Sequence, residues 1–280
     1  MKKIAWITDS TCGLSQEFIE ANNIYVLPMI VIIDHKSYRE DIDISKDDVY
    51  KLLEQYGEGA KTSQPPYGEF IELYKKLKSE YDYGIAIHAS SQLTGTYQSS
   101  MSAAQMEEFP VEVIDSKIGS YALGKMIKQG LKMEREGKSY EEIVSTLKTY
   151  PDKAEMYLLP KSLDQLKRSG RVSTTQAVFA NLLKINLVLQ FENGKVIVEE
   201  KIRSHKKAVQ HLFNKVGDVY RSGAVQEIGI MHAGAKEVAE QWKLEFSKLY
   251  KDLAIKIEPL VPVAGIHTGH GTMAIAWLRK

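Results

Sequence analysis

The chain is predicted to be α/β, with an N-terminal doubly wound, mostly parallel sheet domain followed by a second α+β domain. Two observations predict this. KIAWIT, QEFIEANN and IYVLPMIVII read as strand, helix and strand, and YGIAIHA, a helical run after Gly95 and VEVID repeat the alternation. Farther on, two apolar runs flank Asn193-Gly194, the dipeptide most favourable to a tight hairpin, and mixed strands and helices follow.

Element by element, YGIAIHA is too continuously apolar for a half-solvated strand and suits a sheet covered on both faces. EFIELYKKLKSEY is an amphipathic helix opened by the prolines of TSQPP at 62 to 66. SYALGKMIKQGLKMEREG is a helix stopped at Gly137, and Ser139 is placed to cap a second, YEEIVSTLKTY. AEMYLLP returns as a strand. In the second half LVLQFENGKVIVEEKI is the hairpin, HKKAVQHLFNKVGDVY a helix, and EIGIMHA, a further helix, AIKIEPLVPV and TMAIAWL complete the layer. The boundary is expected near Pro160, giving domains 1–160 and 161–280. No repeat or low-complexity segment interrupts them.

Composition narrows the functional classes. With 37 basic against 36 acidic residues the formal charge is +1, so no basic stripe suits a phosphate backbone and nucleic acid is not an expected partner. The N-terminus turns polar too soon for a secretory segment, and no apolar run is long enough to span a membrane, which points to a cytoplasmic protein. The single cysteine, Cys12, leaves neither an intrachain disulfide nor a Cys-based zinc site.

Three polar turns follow early strands: TDST at 8–11, SSQLTGTYQSS at 90–100 and DSK at 115–117. The carboxyl ends of strands in an open α/β sheet are where ligands usually bind. SSQLTGTYQSS places seven hydroxyl-bearing side chains in eleven residues without a charge. Thr94, before Gly95 and a helical run, can stand where helix N–H groups lack partners and favour an anion; Ser90, Ser91, Thr94 and Thr96 can equally serve as helix caps. Thr62 and Ser63 offer the same two readings. Asp9 and Asp115 suit turn or capping roles better than a phosphoaspartyl or metal site: D-S-T-C lacks a second carboxylate beside Asp9, and Asp115 could supply one only from another strand. Cys12 has no partner base in view. His267 and His270, in the glycine-rich stretch IHTGHGTM, are too few for a metal site, whereas one imidazole can donate to a ligand oxygen. LKRSGRVS at 166–173 and KIRSHKK at 201–207 gather cations beside turns and could steer an acidic partner or a phosphate. No nucleophile elbow, P-loop or dinucleotide fingerprint appears.

Taken in order, TDST, TSQPP, SSQLTGTYQSS, DSK, LKRSGRVS and HTGHG resemble the DegV family of bacterial lipid-binding proteins, particularly the fatty-acid-binding subunits of fatty acid kinase systems. The resemblance implies two domains clasping one long-chain fatty acid, its tail in an apolar tunnel and its carboxylate at the domain interface, with no cofactor and no metal. It implies a non-enzymatic carrier that presents the carboxylate to a separate fatty acid kinase, with transient membrane contact for lipid exchange. Carried over by position, Thr62 and Thr94 would bond the carboxylate, with Ser63 and Ser91 beside them. His267 would join that network, and Arg203 would lie near the head group or the kinase contact. Thr94 replaces the commoner serine, His270 stands where the family has proline, and INLVLQF lacks a proline found in the family run. The alternatives are an acyl or phosphoryl transferase using Ser91 or Asp9, and a lipid-sensing regulatory protein.

Overall fold

The computed structural model describes residues 3–57, 59–173 and 185–280. Its first half contains strands β1 (Ile4–Asp9), β2 (Ile24–Leu27), β3 (Ile30–Ile33), β4 (Lys36–Arg39), β5 (Lys61–Ser63), β6 (Tyr83–His88) and β7 (Val111–Asp115). Between and after them lie α1 (Gln16–Ala21), α2 (Lys46–Tyr56), α3 (Tyr67–Lys78), α4 (Thr96–Met106), α5 (Ser120–Arg135) and α6 (Tyr140–Leu147). The rest comprises β8 (Ala154–Leu159), α7 (Leu163–Ser169), β9 (Asn186–Glu192), β10 (Lys195–Ile202), α8 (His205–Arg221), β11 (Glu227–His232), α9 (Lys236–Leu249), β12 (Ala254–Pro259), α10 (Pro262–Thr268) and β13 (Met273–Leu278).

β2, β1, β6 and β7 form a four-stranded parallel sheet in that order. Every residue of β1 is buried, as the unbroken apolar run requires of a sheet covered on both faces. Ala5, Ile7 and Ala86 pack against Phe70, Tyr74 and Leu77 of α3, while Trp6, Ile85 and Ile87 face Ile127, Leu131 and Leu147 of α5 and α6. The run IYVLPMIVII is not one strand. Pro28 has no N–H for a ladder, and the chain divides there: β2 joins the parallel sheet, and β3 becomes the centre of a three-stranded antiparallel sheet, β4-β3-β5. That small sheet holds Thr62 opposite Val31.

The second sheet has six strands in the order β10-β9-β8-β13-β11-β12, antiparallel except for β11 and β12. Asn193 and Gly194 both have positive φ, 49° and 81°, the type I′ geometry expected of the hairpin turn. β8 pairs with β13 and β9, so the six-stranded sheet begins before Pro160. A division of the chain that keeps each sheet whole therefore falls ahead of Ala154, whereas periodicity alone groups AEMYLLP with the strands preceding it.

Helix α5 lies between the sheets. One side packs on β6, and at the other Tyr121 closes over Gly229 of β11, where an added Cβ would stand 2.4 Å from the ring. Its hydroxyl donates to Glu227 Oε1 at 2.6 Å, and Lys125 pairs with the same carboxylate at 2.8 Å. Trp6, Ile85, Met156, Leu187 and Ala274 belong to one hydrophobic cluster, so the two halves share a core.

Candidate functional site

The carboxyl ends of β1, β6 and β7 face the second sheet across a cavity of about 590 Å³. That volume lies within the range of small-molecule sites, roughly 300–1,000 Å³. Met156 and Leu158 of β8, Leu189 and Phe191 of β9, Val196, Val261 and Val263 make the wall apolar. Thr62, Ser63 and Gln64 enter from β5 and the residue after it, Thr94 and Gly95 from the loop opening α4, and His267 from α10. Gly95 permits this approach, since a Cβ there would stand 2.2 Å from the Gln64 side-chain oxygen.

Thr62 Oγ1 and His267 Nε2 are 2.9 Å apart, across 205 residues of sequence. Burial pushes the imidazole down to about 4, with the Arg171 guanidinium adding to the effect, so the ring is neutral near pH 7. Thr94 Oγ1 and Thr96 Oγ1 are hydrogen-bonded to each other at 2.8 Å. A smaller cleft, about 320 Å³, adjoins the first and shares Thr62, Ser169, Arg171 and His267 with it. The Thr62–His267 pair thus stands on a wall between a largely apolar cavity and a cleft bordered by Lys61, Arg168 and Arg171.

Sequence reasoning places His267 in a glycine-rich loop; it lies instead in the last turn of α10, started by Pro262 and ended at Gly269, whose φ is 98°. Sequence pattern places Arg171 only within the cationic run at 166–173. The signal for it was the Gly170 before it, which ends α7 at φ 63° and turns the chain so that Arg171 reaches the cavity, its guanidinium donating to Ser169 O at 2.9 Å.

Of the six residues expected at a head group, Thr62, Ser63, Thr94 and His267 line the cavity. Ser91 and Arg203 do not. The Ser91 hydroxyl donates to Asp115 Oδ2 at 2.5 Å, an exposed bond that secures the loop to the end of β7. Arg203 follows β10 five residues after Val198, the partner of cavity-lining Leu189, which is roughly 15 Å of strand. Ser90 and Ser99 of the 90–100 run are likewise engaged in structure. Ser90 donates to Gly194 O at 2.6 Å, binding the hairpin turn to the first sheet, and Ser99 accepts from Gln64 at 2.8 Å.

Asp9, His88 and Ser100 make a chain with hydrolase-like connectivity: His88 Nδ1 to Asp9 Oδ2 at 3.0 Å, and His88 Nε2 to Ser100 Oγ at 2.9 Å. All three side chains are wholly buried, and Ser100 also meets the Tyr74 hydroxyl at 2.5 Å. No reactant can approach Ser100 without dismantling that core. Asp9 further accepts from Thr11 N and Ala89 N at 3.0 and 3.1 Å, so its carboxylate organises two strand ends. Burial pushes the Cys12 thiol up to about 12, which removes the thiolate a nucleophile needs. Among the described residues no group of three or more His, Cys, Asp or Glu could hold a metal ion. No described helix is long and apolar enough to cross a membrane.

The DegV family model matches residues 3–280. The chain belongs to the DegV family. It is 34% identical over 280 residues to a DegV domain-containing protein of Staphylococcus aureus, covering all of both chains. It is 32% identical to protein DegV of Bacillus subtilis, with 99% of each chain covered. Among solved structures, that of Bacillus subtilis DegV, a fatty acid binding protein, matches with TM-score 0.91 at 31% identity over the whole of both chains. A fatty acid binding DegV family protein of Streptococcus agalactiae matches with TM-score 0.92 at 29% identity, again over both whole chains. Every cavity-lining residue named above lies inside the DegV match.

Proposed function

We propose that this DegV-family chain binds one long-chain fatty acid, its tail in the cavity between the sheets and its carboxylate against Thr62, Thr94 and His267. The observation that carries this reading is the Thr62–His267 pair at 2.9 Å on the wall of a largely apolar cavity. Relatives described as fatty acid binding proteins support it. An ~16-carbon tail at roughly 0.8 kcal/mol per buried CH₂ supplies about 11 kcal/mol before ordering costs, so the head group needs chiefly to fix orientation. Hydroxyls and a neutral imidazole do this while leaving a carboxylate oxygen open to further chemistry. A bidentate arginine clamp would occupy both oxygens.

The protein is a carrier, and a separate fatty acid kinase phosphorylates the presented carboxylate with ATP. The cationic cleft beside the Thr62–His267 wall gives a head group a way out, and the buried Asp9–His88–Ser100 chain offers no catalytic nucleophile. Arg203, exposed at the far end of the hairpin, is assigned to the kinase contact, and Ser91 to loop structure. Lipid enters and leaves by transient contact with a membrane, and the protein works in the cytoplasm. The domain boundary expected near Pro160 is placed just ahead of Ala154, so that β8 stays with the second sheet.

Native mass spectrometry of freshly purified protein, followed by organic extraction, tests the reading: an adduct of long-chain fatty acid mass is expected, and lipid-free protein that fails to take up added fatty acid overturns it. Incubation with labelled ATP and fatty acid, without a kinase, is expected to yield no acyl phosphate. Its formation by this chain alone would establish an enzyme.

A further inference from the structure

The cavity has a polar feature that a carboxylate at Thr62 and His267 leaves unused. Ser120 lines the cavity, is 1% exposed, and its Oγ has no hydrogen-bond partner among the described residues. The other two such atoms, His232 Nδ1 and Trp277 Nε1, belong to the second sheet, and neither residue lines the cavity. Ser120 is also held at φ +56°, a left-handed conformation that serine rarely adopts. A buried hydroxyl without a partner calls for an explanation, and backbone strain of this kind concentrates at ligand-binding sites.

The residue opens α5, which is 16 residues long, and the N-cap before it, Gly119, has no side chain to bond the first-turn N–H groups. Thr11 lines the cavity beside it, its side chain 3.9 Å from where a Gly119 Cβ would stand. Ser120 Oγ makes no hydrogen bond to the Thr62–His267 pair. Val263, one helical turn before His267 on α10, is bound through Glu40 to Ser10, the neighbour of Thr11. Ser120, Thr11 and Val263 line the same cavity as Met156 and Leu158, which provide apolar wall.

We infer that Ser120 and the open first turn of α5 form a second polar station, which donates to an oxygen carried along the ligand's hydrocarbon chain, so that the cavity favours hydroxy- or oxo-substituted long-chain fatty acids. This rests on the fatty-acid reading above. An unsubstituted methylene chain leaves the hydroxyl unpaired, whereas a chain hydroxyl or carbonyl at the right depth accepts from it and from the uncapped first-turn N–H groups of α5.

The test is displacement of a fluorescent long-chain fatty acid by octadecanoic acid and by its mid-chain hydroxy and oxo derivatives. At least one positional derivative is expected to displace the probe about five- to tenfold better than octadecanoic acid, the ratio one net hydrogen bond supplies. The ratio should fall to about one in both Ser120→Ala and Ser120→Gly. The glycine variant relieves the positive φ, so it folds at least as well as the parent and its lost preference cannot be put down to misfolding. Equal displacement by every derivative in the parent, the result if Ser120 merely holds a water, overturns the inference, as does a preference that survives both substitutions. A chain that takes up no probe and no octadecanoic acid overturns the fatty-acid reading as well, and that result is distinct from uptake without preference.

Discussion

Single side chains decide how a buried head group is held. Replacing Thr62 by valine keeps the shape and deletes the hydroxyl, and Thr94→Val does the same at α4. Each charge-assisted hydrogen bond is worth about 1.5–3 kcal/mol, so each substitution should weaken fatty acid retention roughly 10- to 150-fold in a lipid-exchange assay. Unchanged retention in both would remove the carboxylate from this wall. Glu40 makes a separate prediction. It is 1% exposed, accepts from Ser10 Oγ at 2.5 Å and from Val263 N at 3.0 Å, and so caps α10 from across the molecule. Burial raises its carboxyl to about 8 from the ordinary 4.5. The folded state therefore binds the proton more tightly than the unfolded state. The stabilisation is complete below pH 4.5 and is lost as pH rises through 8, at most on the order of 5 kcal/mol across that window. Glu40→Gln, neutral at every pH, should flatten the alkaline limb of a stability–pH profile measured by denaturant unfolding; an unchanged slope would assign that limb to other groups.

At the scale of elements, α10 is held in place by close packing as well as by Glu40. Gly265 faces Tyr50 of α2, where a Cβ would stand 2.4 Å from the ring, and the Tyr50 hydroxyl donates to Leu260 O at 2.5 Å. Gly265→Ala should push α10 away from α2, separate His267 from Thr62, and cost about 1–3 kcal/mol of stability together with weaker lipid retention. Gly137→Ala is the control: it has positive φ and nothing within 4 Å, so it should lose stability without touching retention. Loss of retention in both variants would show that α10 is not the element responsible. Elements of this length show why the sequence is only partly legible. The long parallel strands, α5, the capping box of Ser139 with Glu142 and the hairpin all follow from local pattern. β5, with three residues, and α10, with seven, carry too little periodicity to be read, and they are the two that hold Thr62 and His267. Those residues were legible only through their motifs. Arg171 belonged to a recognised cationic run, yet only the turn at Gly170 singles it out from Arg168 and Lys167.

For the molecule as a whole, the cavity is bounded by strand ends of the parallel sheet, by β5 of the small sheet and by β8 and β9 of the six-stranded sheet, so an acyl chain within it touches all three layers. Periodicity could not anticipate this, because burial pattern specifies which face of a strand is covered and not whether the cover is protein or lipid. The packing has a thermodynamic consequence. A ligand that binds only the folded state adds RT ln(1 + [L]/Kd) to stability, about 4 kcal/mol at a thousandfold excess over Kd. For a chain of 280 residues that corresponds to several degrees in Tm. Delipidated protein should therefore melt several degrees below protein as purified, and added octadecanoic acid should restore the difference. Octanoic acid should restore little, since it forgoes roughly ten buried CH₂ groups at about 0.8 kcal/mol each. Ala264→Trp, on the cavity face of α10, should abolish the response to octadecanoic acid by filling the space. Equal rescue by both acids would place the binding energy in the head group, and an Ala264→Trp variant that still responds would place the acyl chain outside the cavity.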